Sequence, residues 1–295
     1  MKKRNKKNME DIFLDTAIYI VLIALVLVTL YPVWYVVVAS FSTSTSIAKH
    51  SGLLLWPEEF SVGAYEMVFT NRLIMGGLKN AVIVLLGSLP LNILLTLLCG
   101  YFMACGGLFW KKPINFMIMF TMFFNGGLIP NYLNVKGLGL GDSLWALILP
   151  GALSVYNAII CKTAIEAIPE SLKESAYIDG AQDFQILFKI ITPLIKPTLA
   201  VLTLYYGVAH WNSWFPASIY ITKDELLPVQ NIIRSILLAN DTTLTGTGDL
   251  ADNYNYYAET IKYAAIVITT APILCVYPFL QKYFTKGVMI GAVKG

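Results

Sequence analysis

Charge is what this sequence has least of. Only 13% of its 295 residues are Asp, Glu, Lys or Arg, and 57% are hydrophobic; an ordinary globular domain carries about 25% charged residues. That shortfall excludes a soluble globule, which must cover its core with polar side chains. The net charge of +3 says little about partners, and no basic patch with interleaved aromatics points to nucleic acid. Histidine occurs twice, as His50 and His210, without metal-ligand spacing. Cys99, Cys105, Cys161 and Cys275 form no C-x-x-C pair and lie in or beside apolar runs. They read as small buried apolar residues, not as a disulfide framework or a metal site. The chain lacks a G-x-x-x-x-G-K-S/T phosphate loop, and no His, Asp or Ser constellation suggests catalysis, so no catalytic or metal-ligating residue is expected. No carboxylate lies deep in an apolar run except Asp15, close to one end of the first. That argues against coupling to protons or sodium through an intramembrane relay.

What the chain has instead is long apolar stretches. A bilayer core takes about 20 apolar residues per helix, and six stretches qualify: Ile12–Phe41, Leu78–Ala104, Pro113–Leu133, Leu144–Ile160, Leu194–Phe215 and Tyr263–Tyr283. The expectation is an all-α, polytopic membrane protein with six transmembrane helices forming one domain over 1–295. The basic start, MKKRNKKN, precedes an uncharged run too long for the apolar part of a signal peptide, so it reads as a helix that stays. Asn125-Gly126-Gly127 and Pro130 interrupt the third stretch, and a break there has to face protein or a water-filled cavity. With the N-terminus inside, inner segments hold fourteen Lys and Arg and outer segments seven, which favours both termini in the cytoplasm. The outer loops are then 42–77, with a turn at Trp56-Pro57, and 216–262, whose Thr-, Gly-, Asp- and Asn-rich part ends in Tyr254, Tyr256 and Tyr257, at the lipid interface or under a partner protein.

The same count places residues 166–197 inside. EAIPESLKESAYIDGAQDFQILFKIITPLIKP is an island of charge, with six carboxylates and lysines from Glu166 to Asp183. Pro169 suits the first turn of a helix. Gly180 suits the turn after it, where positive φ carries no Cβ penalty. Asp183 is a candidate cap for a second helix that Pro193 limits. On that helix Phe184, Leu187, Phe188 and Ile191 form an i, i+3, i+4, i+7 stripe to hold it against the bundle. Glu174-Ser175-Ala176, Asp179-Gly180-Ala181, Phe188, Ile190, Pro193 and Pro197 resemble the EAA loop of ABC-importer permeases, roughly E-A-A-x-x-D-G-A, an apolar helix, then I-x-L-P-x-x-x-P. Ser175 and Thr192 depart from it, where Ala and Leu are usual. The tail from Gln281 to Gly295, the LLLWP outer segment and the six stretches together resemble the carbohydrate branch of those permeases, the maltose-importer-like oligosaccharide and polysaccharide group.

The resemblance implies the type I importer permease fold in a bacterial plasma membrane. It implies that the coupling loop 166–193 docks on a separate ATPase through Glu174, Ser175, Ala176, Asp179, Gly180, Ala181 and Pro193. ATP and magnesium would be bound by that ATP-binding cassette dimer and not by this chain. A second, different permease, an extracytoplasmic solute-binding protein and a carbohydrate substrate complete the expected assembly. Sugars are held by amides and aromatic faces, so Asn125, Asn157, Tyr205 and Trp211 are the candidates for the substrate pathway. Asn92, Thr96, Thr203, Asn212 and Thr269 read as helix–helix hydrogen-bonding residues. His210, beside Trp211 and Trp214, reads as a membrane-interface anchor, with substrate contact as the other reading. Other readings are a permease for a non-sugar solute and a transport-inactive membrane sensor or scaffold.

Overall fold

The computed structural model describes residues 9–106, 109–238, 259–276 and 278. The tail, Tyr254, Tyr256, Tyr257 and the first lysines lie outside the described residues. Among those described, the chain is helical apart from loops and one isolated antiparallel bridge, Ser42 with Phe60. It divides into two compact units, one containing residues up to Thr70 and 239–268, the other Asn71–Leu238 and the residues from Thr269.

In the first unit, α1 (Met9–Ser40) is apolar on every side. Within the candidate span Phe13–Ser40, no residue of its most apolar window is buried. Its Thr29 hydroxyl finds acceptors on its own helix, the Leu25 carbonyl at 2.9 Å and the Val26 carbonyl at 3.1 Å. Only the last turns are packed. There Val38, Ala39 and Leu54 form a small core flanked by Tyr35, Ile47 and Tyr263. The chain after α1 folds back on it: the Trp34 indole donates to the Leu55 carbonyl at 2.9 Å, and the Leu54 amide donates to the Tyr31 hydroxyl at 3.1 Å.

The second unit is built round α2 (Arg72–Ala104), capped by Asn71, whose side chain accepts from the amides of Leu73 and Ile74. The expected start at Leu78 is therefore six residues late, because a polar cap and not the first apolar residue begins the helix. Small residues let neighbours come close. A Cβ at Gly100 would stand 2.9 Å from the Cys161 Cβ, and one at Gly77 would meet Ile232 and the Val229 backbone. The helices α3 (Lys111–Phe123) and α4 (Leu128–Gly137) form a pair bent by 111°. The Asn125 side chain accepts from the Gly127 amide at 3.0 Å, and Gly127 takes φ +94°, so the chain is diverted at the break expected within 113–133.

The stretch 144–160 is likewise not one helix. A four-residue turn, Trp145–Ile148, is followed by Pro150-Gly151 and a fresh start at Ser154, which caps α5 (Val155–Glu166). After α6 (Glu170–Ile178) and α7 (Asp183–Leu194), the chain turns by 85° into α8 (Lys196–Trp211). The stretch expected over 194–215 is shorter at both ends. At its start, Pro197 has no N–H to give and restricts the residue before it. Short α9 (Phe215–Tyr220), α10 (Val229–Leu238) and α11 (Glu259–Val276) complete the described chain. By length and composition α1, α2 and α11 are each able to cross a membrane, and the α3–α4 and α7–α8 pairs bring the number to as many as five. Tyr263–Tyr283 runs past the described residues.

Candidate functional site

Two regions of the second unit carry functional geometry. The first is the loop 166–197. α6 begins after Pro169, whose extended backbone (φ −53°, ψ 131°) offers its carbonyl to the Leu172 amide at 3.2 Å. It ends in paired reverse bonds, Gly180 N–H to the Tyr177 carbonyl at 3.0 Å and Ala181 N–H to the Ala176 carbonyl at 2.9 Å. With Gly180 at φ +79° this is a Schellman cap, and Ala176 and Ala181 make the small apolar contact that accompanies it. The D-G-A triplet is thus a helix stop.

Asp183 does not cap α7. Gln182 does, in a reciprocal capping box with Gln185. The Asp183 carboxylate is a clasp instead: it accepts from the Tyr101 hydroxyl of α2 at 3.0 Å and from the Tyr177 hydroxyl of α6. That second bond raises the Tyr177 phenol above its usual pKa, because ionising it would set two negative groups side by side.

The expected apolar stripe on α7 is also rotated. Leu187 and Ile191 are fully buried, but Ile186 joins them, while Phe184 is 67% and Phe188 43% exposed. A π-helical stretch over Ile186–Ile191 puts Ile186 and Ile191, one wide turn apart, on the same buried face. The Thr192 hydroxyl closes this stretch on the Leu187 carbonyl at 2.7 Å, so the helix passes through Pro193 and breaks only at Ile195. The buried face packs on Leu97, Cys161, Ile165 and Leu202. Facing away are Glu174, Ser175, Asp179 and Gly180, with apolar Leu172, Ile178 and Phe184 exposed among them.

The second region is a group of cavities. One of about 400 Å³ is walled by Ser154, Asn157, Tyr205, Tyr206, His210 and Ser213, with Tyr220 at its edge. Cavities of about 370 Å³ and 290 Å³ also touch Tyr220; the first adds Asn131 and Asn134, the second Asn125 and Asn131. Among the described residues, no Asp, Glu, Lys or Arg lines any of the three. The wall is held by a buried network. Asn92 donates to the carbonyls of Gly151 and Ala152, both at 2.9 Å, and its Oδ1 lies 3.1 Å from His210 Nε2. The Tyr206 hydroxyl meets Thr96 Oγ1 at 2.7 Å and accepts from the Ser154 amide at 2.9 Å. The Tyr220 ring stacks on Tyr132 with planes 6° apart. Beyond it the exposed Asp142 carboxylate takes the Thr222 amide at 2.6 Å, a bond that holds its carboxyl below the usual range.

Of the four pathway candidates, Asn125, Asn157 and Tyr205 reach these cavities. Trp211 does not: it is buried, and its indole donates to the Thr269 carbonyl at 3.1 Å. Nor is His210 an interface anchor, since Asn92 holds it in the cavity wall. Asn131, Asn134 and Tyr220 had no place among the pathway candidates. The first two share the α4 face at i and i+3, a spacing that was there to be read.

A helical unit with a charge-free, amide-walled cavity and a clasped loop offering apolar and acidic residues outward has the build of a solute permease. Residues 8–290 match the family described as the inner-membrane component of binding-protein-dependent transport systems. The chain belongs to that family and is a multi-pass inner-membrane permease. It is 38% identical over 97% of its length to the whole of the polygalacturonan/rhamnogalacturonan transport system permease protein YtcP of Bacillus subtilis. It is 37% identical, over 91% of its length and 90% of the other, to Protein LplC of the same species. Among solved structures it resembles a chain of a bacterial ABC transporter involved in the import of the acidic polysaccharide alginate, with a TM-score of 0.88, 28% identity, and coverage of 95% of this chain and 99% of that one.

Proposed function

We propose that this chain is one of two permease subunits of an ATP-driven importer of oligosaccharides, with fragments of acidic plant-type polysaccharide as its substrates. The observation that carries this reading is the cavity group round Tyr220: amides and tyrosines match sugar hydroxyls and ring faces, and no carboxylate is present to repel a uronate. The relatives' names, for polygalacturonan and alginate transport, support the same class. Asn125, Asn157 and Tyr205 belong to the path, together with Asn131, Asn134 and Tyr220.

Energy comes from a cytoplasmic ATPase dimer, which binds ATP and magnesium. The exposed side of α6, with Glu174, Ser175, Asp179 and Gly180, docks on it; Ala176, Ala181 and Pro193 shape the loop behind that face. Movement of α6 passes through Tyr177 and Asp183 to Tyr101 and so to α2. Both termini are cytoplasmic, and an extracytoplasmic binding protein delivers the sugar to the opposite side.

The test is recovery of the chain from native membranes in mild detergent, followed by uptake assays in proteoliposomes. A second permease, an ATPase and a binding lipoprotein are expected to come with it, and oligogalacturonide uptake is expected to require ATP. Uptake of neutral oligosaccharides alone would overturn the acidic class, and recovery without an ATPase would overturn the importer reading.

A further inference from the structure

We infer that His210 is a sugar-recognising residue, its Nδ1 serving as the acceptor for a substrate hydroxyl in the 400 Å³ cavity. Bond polarity fixes the imidazole. The Asn92 group that faces the Gly151 and Ala152 carbonyls must be its NH₂, since a carbonyl only accepts. The atom turned to His210 is then the amide oxygen, which also only accepts, so Nε2 carries a hydrogen. No Asp or Glu lines the cavity to balance an imidazolium, and a charge taken from water without a partner is costly. The ring is therefore neutral, and Nδ1 presents a lone pair. Among the described residues that atom has no protein partner, and it is not among the buried, unsatisfied atoms.

Around it the cavity places complementary chemistry: the Asn157 amide, the Ser154 and Ser213 hydroxyls, and the Tyr205 ring. The cavity falls in the usual size range for small-ligand sites, about 300–1,000 Å³. A pyranose unit supplies what the site lacks, an O–H donor for Nδ1 and a ring face for Tyr205. A unit whose hydroxyls are methylated has no proton to give. This inference rests on the cavity being part of the sugar path.

The sequence has only two histidines, so NMR of the transporter reassembled in nanodiscs with ¹⁵N-histidine in this chain alone, and a His50→Gln variant to assign the signals, reads the ring directly. Expected is an unprotonated Nδ1 and a protonated Nε2 before ligand, and a shift of the Nδ1 signal on adding an oligogalacturonide but not its O-methylated form. Two isosteres carry the test into transport. His210→Gln keeps a group near Nε2 and loses the acceptor, and should raise KM roughly tenfold, the effect of one lost hydrogen bond. His210→Asn keeps an acceptor near Nδ1 and should raise it less. A protonated Nδ1, or an Nδ1 signal unmoved while the wild-type complex imports the same sugar, overturns the inference. Failure of the wild-type complex to import any uronate would instead overturn the proposed substrate class, and the ring's protonation would still decide the tautomer.

Discussion

α1 and α2 are almost equally apolar, and both are long enough to cross a bilayer, yet their surroundings are opposite. The most apolar window of α1 has no buried residue, whereas 28% of the corresponding window in α2 is buried. Hydrophobicity does not separate them, because lipid tails are as apolar as leucine and give helices no reason to associate. The difference lies in the minority residues. α2 carries Asn80, Ser88, Asn92 and Thr96, all buried. Asn80 donates to the Glu225 and Leu227 carbonyls, and Asn92 and Thr96 bond to groups from other segments. It also carries glycines where neighbours approach. Midway along α1, Thr29 bonds back to its own helix, and bonds to other segments come only from the last turns, at Tyr31, Trp34 and Ser40, among the bonds described. Within a membrane, the few polar and small side chains decide which helix becomes a centre.

The largest expected effect comes from removing the best-connected of these groups. Asn92→Leu leaves the part-buried Gly151 carbonyl, the buried Ala152 carbonyl and the His210 ring without their Asn92 partner, and should destabilise the purified complex by about 3 kcal/mol in a thermal or denaturant unfolding assay. Thr29→Val should cost less than about 0.5 kcal/mol; equal losses would break the comparison. Next is packing. Gly100→Leu places a side chain where even a Cβ would stand 3.0 Å from the Cys161 Sγ, at a cost of about 1–3 kcal/mol, while Ala24→Leu on exposed α1 should be near neutral. The smallest is Tyr101→Phe. Asp183 keeps the Tyr177 bond, so stability should fall by about 1 kcal/mol or less. Sugar imported per ATP hydrolysed should fall as well, since the link from α6 to α2 is what this change cuts.

Local chemistry was legible in the sequence where it is self-contained. Asp179-Gly180-Ala181 announces a helix stop because its glycine and alanine act locally, closing on Tyr177 and Ala176 just before them. The Asn125–Gly127 break could be read for the same reason, its side chain bonding two residues along. What was not legible depends on partners distant in sequence. The tyrosines that hold Asp183 are 6 and 82 residues away, so its capping potential looked like its role. His210 is tied to a residue 118 positions earlier. The π-helical stretch was hidden too. Nothing in ILFKII distinguishes it from an α-helical turn, and only the burial of Ile186 beside Leu187 and Ile191 shows that the face has rotated.

The break between α3 and α4 has an electrical consequence. At 1.5 Å per residue, helices of 13 and 10 residues are about 20 Å and 15 Å long, and neither alone spans a hydrocarbon layer of about 30 Å. The backbone at the bend borders the 290 Å³ cavity and has to meet protein or water there. Water filling that notch would carry the potential of its own aqueous phase inward, and the membrane voltage would then fall across a thinner layer of protein next to the cavity. On the substrate class and path proposed above, a uronate moving past Asn125 and Tyr220 would cross much of the field within a short step.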